Sequence, residues 1–176
     1  PDDSKKDSSQ DKRYKSCDQN KDYRKNLSEK QVRYWSKWAG LAGFIPVPAL
    51  DIVTITGAQA LMIQELCKLY AVPFKKEMVS SIVTGLVTSG LGTTLSSKLA
   101  SGLLNPIPGV GTLLGVMTLP AISFSSTYAI GEVFIKHFES QGNIDNFKIE
   151  NYESLFKQKY IQVKEKFKLK DAFQRN

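Results

Sequence analysis

The sequence predicts an all-α fold: a helical bundle with a central apolar helical hairpin (79–104 and 107–137), expected to be membrane-embedded and flanked by amphipathic helices. Three observations carry that reading. Residues 79–97 and 99–131 hold no charged side chain. The lysines and arginines behind a net charge of +7 crowd toward the two ends of the 176-residue chain. Elsewhere apolar residues recur every three or four positions, the period that places them on one helix face. A chain of this length suits one domain with a core of its own.

Residues 1–26 are dominated by Asp, Ser, Lys, Gln and Asn and lack aliphatic side chains, so they read as a disordered polar tail. The next region, 27–147, reads as one helical domain. Ser28 and Gln31 make a capping-box pattern that opens a first helix, with Val32, Trp35 and Ala39 along one face. Trp35 and Trp38, beside Arg33 and Lys37, suit an interfacial belt, and equally suit core anchors of a soluble bundle. Pro46 and Pro48 end this helix, because each disfavours helical geometry in the residue before it. Ile52, Ile55, Gln59, Met62, Ile63, Leu66 and Leu69 form the apolar face of a second helix over 49–71, which Ala71, Val72 and Pro73 close. A third helix is expected over 75–101. Pro106, Pro108 and Gly109 then make a second proline-rich turn. The fourth helix, 110–138, is expected to bend at Pro120, which has no amide proton to donate. Gly142 and Asn143 mark a turn. Residues 148–176 read as a C-terminal amphipathic helix, with Tyr152, Phe156, Tyr160, Val163 and Phe167 at helical spacing between lysines.

Both central runs are long enough to cross a bilayer, which takes about 20 apolar residues. Their quality is mixed, because Ser and Thr are frequent in both and their hydroxyls bond back to the helix that carries them. Small residues let helices approach closely in lipid, and Ser81, Gly85 and Ser89, like Gly111 and Gly115, lie at four-residue spacing. The same residues would serve tight packing in a soluble hairpin. If the hairpin spans, Lys75, Lys76 and Lys136 flank its near side, and the positive-inside tendency puts both termini in the cytoplasm. The location expected is the cytoplasmic (inner) membrane, with the cytoplasm as the alternative.

Several chemistries find little support. Cys17 lies in the polar tail and Cys67 on an apolar face, so a reducing compartment is expected rather than a structural disulfide. His137 is the single histidine and no Cys-x-x-Cys occurs, which argues against a metal site. No Gly-x-Ser-x-Gly elbow supports nucleophilic catalysis. The basic surplus would suit nucleic acid, but no recognised binding motif accompanies it. Anionic lipid headgroups match it better.

Ile45-Pro46-Val47-Pro48-Ala49-Leu50-Asp51-Ile52, Gln59-Ala60-Leu61-Met62-Ile63 and Leu69-Tyr70-Ala71-Val72-Pro73-Phe74 resemble the YcjF-like family of bacterial helical domains. So do Ile107-Pro108-Gly109-Val110-Gly111 and Tyr128-Ala129-Ile130-Gly131-Glu132-Val133-Phe134. The resemblance covers residues 30–147. It implies an all-helical, membrane-associated domain, often fused behind or encoded beside small Era-type GTPase domains. Ala49 stands where the family usually has glycine. The chain has no Gly-x-x-x-x-Gly-Lys-Ser/Thr phosphate loop, so any nucleotide hydrolysis would belong to a separate partner. The family supplies no catalytic residues to carry over.

Asp51, Gln59 and Glu132 are the polar residues that would matter if they converged on one pocket. Taken singly, Asp51 suits the positive end of a helix. The functional expectation is a non-enzymatic, membrane-associated helical protein that anchors or docks a cytosolic partner, without cofactor or metal. Its partners would be anionic lipid headgroups and a protein: a GTPase in trans, a larger assembly or a second copy of the chain. The alternatives are a soluble helical interaction module and, less favoured, a pore-forming or membrane-perturbing protein.

Overall fold

The computed structural model describes the backbone of residues 4–42, 50–100 and 111–173, and the side chains of 20–42, 57–90 and 120–166. Within them lie five α-helices: α1 Ser4–Ala42, α2 Leu50–Tyr70, α3 Lys76–Ala100, α4 Gly111–Glu139 and α5 Glu153–Phe173. Two short 3-10 turns, Ile144–Asn146 and Ile149–Asn151, join α4 to α5. The all-α expectation holds, and no strand occurs among the described residues.

The first helix begins far earlier than the sequence suggested. Residues 4–26, expected as a disordered tail, continue α1. No Gly or Pro interrupts residues 2–39, and Lys, Arg and Gln lose little rotamer freedom in a helix. Ser28 is therefore interior rather than a cap. Its hydroxyl donates to the Arg24 carbonyl at 2.8 Å, as mid-helix serines do.

Paired residues fix the helix directions. Trp35 with Glu65, and Arg24 over the Tyr70 ring, set α1 antiparallel to α2. Val32 against Gly131 and Phe124 against Gly40 set α1 antiparallel to α4. Glu132 with Lys159 and His137 with Tyr152 set α4 antiparallel to α5. The bundle therefore alternates: α1, α3 and α5 run one way, α2 and α4 the other. One end, here the Trp38 end, receives the C-termini of α1, α3 and α5 and the N-termini of α2 and α4. The opposite end is marked by His137.

Among the described residues, α4 is the central helix, packed chiefly on α1 and α5 and also on α2. α3 rests mainly on α5 and meets α4 at few positions. The expected hairpin of 79–104 against 107–137 is thus not the packing unit. Glycines show why. A Cβ at Gly85 would collide with Ile149, and one at Gly90 with the Phe156 ring, so α3 is cut to receive the C-terminal region. Gly131 is open in the same way to Val32 of α1. Met62, Leu66, Leu86, Phe134 and Phe156 are fully buried around these contacts. Each such side chain stabilises the fold by about 1.5–3 kcal/mol.

Membrane embedding of the hairpin gains no support from the helices. Among the described residues, none is long and apolar enough to cross a membrane. Ser80, Ser81, Thr84, Thr88 and Ser89 in α3 and Ser123, Ser125, Ser126 and Thr127 in α4 dilute the aliphatic content that crossing requires. α4 passes through Pro120, which is buried, without leaving the helical state.

The His137 end is closed by hydrogen bonding. At the end of α2, the Val72 and Ala71 amides return to the Cys67 and Lys68 carbonyls at 2.9 and 3.3 Å, with Ala71 at φ 54°. At the end of α4, the Gly142 and Gln141 amides return to His137 and Phe138, both at 3.0 Å, with Gln141 at φ 62°. Both are Schellman closures, which satisfy carbonyls that a helix end leaves open. Asn143 and Asn146 then exchange side-chain and backbone bonds at 2.8 and 3.0 Å, fixing the first 3-10 turn.

Candidate functional site

Gln59 and Glu132, two of the polar residues singled out by sequence, do not converge. Gln59, buried on α2, donates its amide to the Thr127 hydroxyl of α4 at 3.2 Å. Glu132 lies on the α4–α5 face instead, where it accepts from the Lys159 ammonium at 2.7 Å. That bond raises the Lys159 pKa above its ordinary value. Asp51 lies in α2, but its side chain is outside the described residues. Gln59 and Glu132 thus have separate partners on separate faces, and they tie helices together rather than line a pocket.

His137 is equally committed. Its Nε2–H donates to the Asn143 carbonyl at 2.8 Å, and its Nδ1 accepts from the Tyr152 hydroxyl at 3.0 Å, the tautomer that these partners require. With both nitrogens engaged and the ring buried, it pins the α4–α5 connection. Cys67 is buried in the core, and burial pushes its thiol up to about 11, well away from the range of a reactive thiolate. Among the described residues, no cluster of His, Cys, Asp and Glu could hold a metal ion.

The small-residue row of α3 divides. Gly85 receives Ile149, Ser89 donates to the Leu86 carbonyl at 3.4 Å, and Ser81 is exposed. Ser81 borders a shallow open groove of about 300 Å³ with Met78, Ile82, Phe147, Lys148 and Ile149. The side chains at Gly111 and Gly115, and the turns with Pro46, Pro48, Pro106, Pro108 and Gly109, fall outside the described residues.

The two tryptophans part company. Trp35 turns toward α2, and its indole Nε1–H donates to the Glu65 carboxylate at 2.9 Å. Trp38 faces outward, 52% exposed. Tyr34 and Leu41 share its face at four- and three-residue spacing, and Leu61 of α2 is exposed beside them, as the antiparallel register of α1 and α2 requires. The Tyr34 and Trp38 rings meet edge to face with centroids 6.3 Å apart. Arg33 and Lys37 flank this strip, both exposed. Sequence reading missed Tyr34, Leu41 and Leu61. The signal was present: near residue 38, α1 carries apolar side chains on the face opposite Val32 and Ala39 as well.

This strip sits where α1 ends and α2 begins, a part of the chain poor in charge, although the last turns of α3 and α5, with Lys98 and residues 164–171, run to the same end. The connections that join helices there, 43–49 and 101–110, contain no charged residue. Between Ala39 and Gln64 the sequence holds one, Asp51. The His137 end is the reverse: Lys75, Lys76, Glu77, Lys136, Glu139, Asp145, Lys148 and Glu150 are all exposed there, and Lys75 pairs with Asp145. A bundle that exposes apolar side chains beside lysines at one end can lie against a lipid surface there while the other end stays hydrated.

The profile of the family described as "Domain of unknown function (DUF697)" matches residues 16–165. Magnetosome membrane protein 22 of Magnetospirillum gryphiswaldense is 34% identical over 134 residues, which cover 76% of this chain and 69% of that protein. No solved structure matches the chain. The match is to a family of uncharacterised domains, and the YcjF-like name and the association with Era-type GTPases have no counterpart in these matches.

Proposed function

This chain belongs to the DUF697 family, and from that premise we propose that it is a non-enzymatic, membrane-associated helical protein. Its Trp38 end meets the lipid surface, and its charged His137 end docks a cytosolic protein partner. The observation that supports this most directly is the exposed face of Tyr34, Trp38 and Leu41 beside a stretch, 39–64, that holds Asp51 as its one charged residue. The name of the related magnetosome membrane protein points to a membrane as well. The contact we propose is interfacial, with the Trp38 end dipping into one leaflet rather than a helical hairpin crossing both. The membrane is then the cytoplasmic one, approached from the cytoplasm. α5 runs toward the same end, so its lysines would lie along the headgroups. A GTPase acting in trans is the protein partner that the family resemblance favours.

Flotation of the purified chain with phospholipid vesicles tests the reading. The chain should rise with the vesicles; recovery at the bottom of the gradient with every lipid composition would refute it. Affinity purification in mild detergent would then identify the partner, and charge reversal at Lys148 and Glu150 should weaken capture if the His137 end docks it. A soluble interaction module is the second reading, favoured by the lack of a helix able to cross a membrane among the described residues. Monodisperse behaviour without detergent, together with failure to float, would select it.

A further inference from the structure

We infer that Tyr34, Trp38, Leu41 and Leu61 form a lipid-docking strip, with Arg33 and Lys37 as its contacts to anionic headgroups. This rests on the membrane reading above and specifies the site that performs it. The strip differs from ordinary surface in three respects. Its members are 48–57% exposed, although all four are large and apolar. Tyr34, Trp38 and Leu41 share one face of α1, and the Trp35–Glu65 pairing sets Leu61 of α2 near the level of Trp38, whereas Tyr23 is more than ten residues away along α1. Scattered apolar side chains need no explanation, but a contiguous patch marks a contact.

Charge decides among the occupants. Arg33 and Lys37 point into solvent beside the aromatic rings. Arg33 shares its charge with Glu29 at 3.4 Å in an exposed pair, Glu65 accepts from Trp35, and Lys37 is in no ion pair among the described residues. The strip therefore keeps a positive balance, carried by Lys37. A second copy of the same strip would bring like charges together, which is unfavourable at a symmetric contact. An anionic bilayer accepts both parts: tryptophan and tyrosine partition to the headgroup level, and lysine and arginine there each strengthen binding. α5 adds exposed Lys166 near the same end.

The test uses the full chain and vesicles of phosphatidylcholine, with or without phosphatidylglycerol. The unaltered chain should float with the anionic vesicles and bind neutral ones more weakly. Trp38→Ser combined with Leu41→Ser should lower vesicle affinity at least about tenfold. Lys37→Ala should lower it about fivefold on anionic vesicles and leave neutral binding unchanged. Tyr23→Ser, on the same helix but distant from the strip, should change nothing. All these positions are exposed, so unchanged circular dichroism and melting will show that the fold survives. If the unaltered chain floats and the Trp38/Leu41 variant floats equally well, the strip is not the docking site, although the membrane reading stands. Equal binding to neutral and anionic vesicles overturns the headgroup contacts. A variant that loses dimers and keeps vesicle affinity assigns the strip to a second copy and overturns the inference. Failure of the unaltered chain to float defeats both.

Discussion

The two ends of this bundle solve opposite problems. At the His137 end the close of α2 and the α4–α5 connection are tied down: two Schellman closures, an exchanged pair of Asn143 and Asn146 bonds, and a histidine held at both nitrogens. Charged side chains surround these bonds and keep the end hydrated. At the Trp38 end the described helices leave large apolar side chains exposed, and the connections carry no charge. One end is built for stability in water. The other makes sense against something less polar than water. Substitutions at the first should thus be read in the melting curve, and substitutions at the second in binding.

The largest expected stability effect lies in the core that both ends share. Phe156 is fully buried in the notch that Gly90 leaves in α3. Phe156→Ala should cost about 3–5 kcal/mol, measured by denaturant unfolding, and should loosen α3 first. A loss below about 1 kcal/mol would mean that α3 is not held through α5. Next comes the His137 end itself. His137→Ala leaves the Asn143 carbonyl and Tyr152 hydroxyl without their partner, and should cost about 1–3 kcal/mol. Vesicle binding by that variant, measured below its melting temperature, should be unchanged.

Alkaline pH probes the core by another route. Burial raises the pKa of Cys67 and of Tyr160, burial raises that of Tyr128, and the Glu132 hydrogen bond raises that of Lys159. Each group holds its proton more tightly folded than unfolded, so its contribution is fully present below its unfolded pKa and is lost as pH rises toward the folded value. For Cys67 that window runs from about 9.0 to about 11. Melting temperature should be level through neutral pH and fall across this window. Cys67→Ala should lower stability at pH 7 and flatten the part of the alkaline decline that the thiol contributes. An undiminished decline would place its origin in the tyrosines and Lys159.

A smaller effect has the opposite sign. Ala71 holds a left-handed conformation at φ 54° to close α2, a geometry that costs an L-residue roughly 1 kcal/mol or more. Ala71→Gly should therefore raise stability by about 0.5–1 kcal/mol, after allowing for the greater freedom of glycine in the unfolded chain. Smallest of all, Trp38→Ser and Leu41→Ser should move stability by within about 0.5 kcal/mol, because both side chains are half exposed. A large loss there would mean that the strip is part of the fold and not a contact surface.

Much of the bundle was legible in spacing. Val32 and Ala39 on α1, Gln59, Met62, Ile63 and Leu66 on α2, and Phe156 and Tyr160 on α5 are buried as their periodicity implied. Periodicity identifies the face a helix buries, but not the neighbour that covers it. The uncharged stretches suggested that α3 and α4 pair with each other, whereas Gly85 and Gly90 admit Ile149 and Phe156. Residues 4–26 escaped for a different reason, because a polar helix has no apolar stripe to betray it. The candidate strip was half visible. Two aromatic positions three residues apart, Trp35 and Trp38, were conspicuous, yet the hydrogen bond from Trp35 to Glu65 and the exposure of Trp38 are what separate the inward ring from the outward one. Gln59 and Glu132 could be recognised as polar residues on apolar helices, but their partners Thr127 and Lys159 lie 68 and 27 residues away in the chain.

Depth-dependent fluorescence quenching tests the sorted-end arrangement most directly. Two chains with a single tryptophan are needed: Trp35→Phe, which keeps Trp38, and Trp35→Phe/Trp38→Phe/Ser140→Trp, which reports on the exposed surface of the His137 end. On anionic vesicles containing brominated lipid, Trp38 should be quenched and blue-shifted while the tryptophan at position 140 stays water-exposed. Equal quenching at both positions, or quenching at position 140 alone, would contradict docking through the Trp38 end.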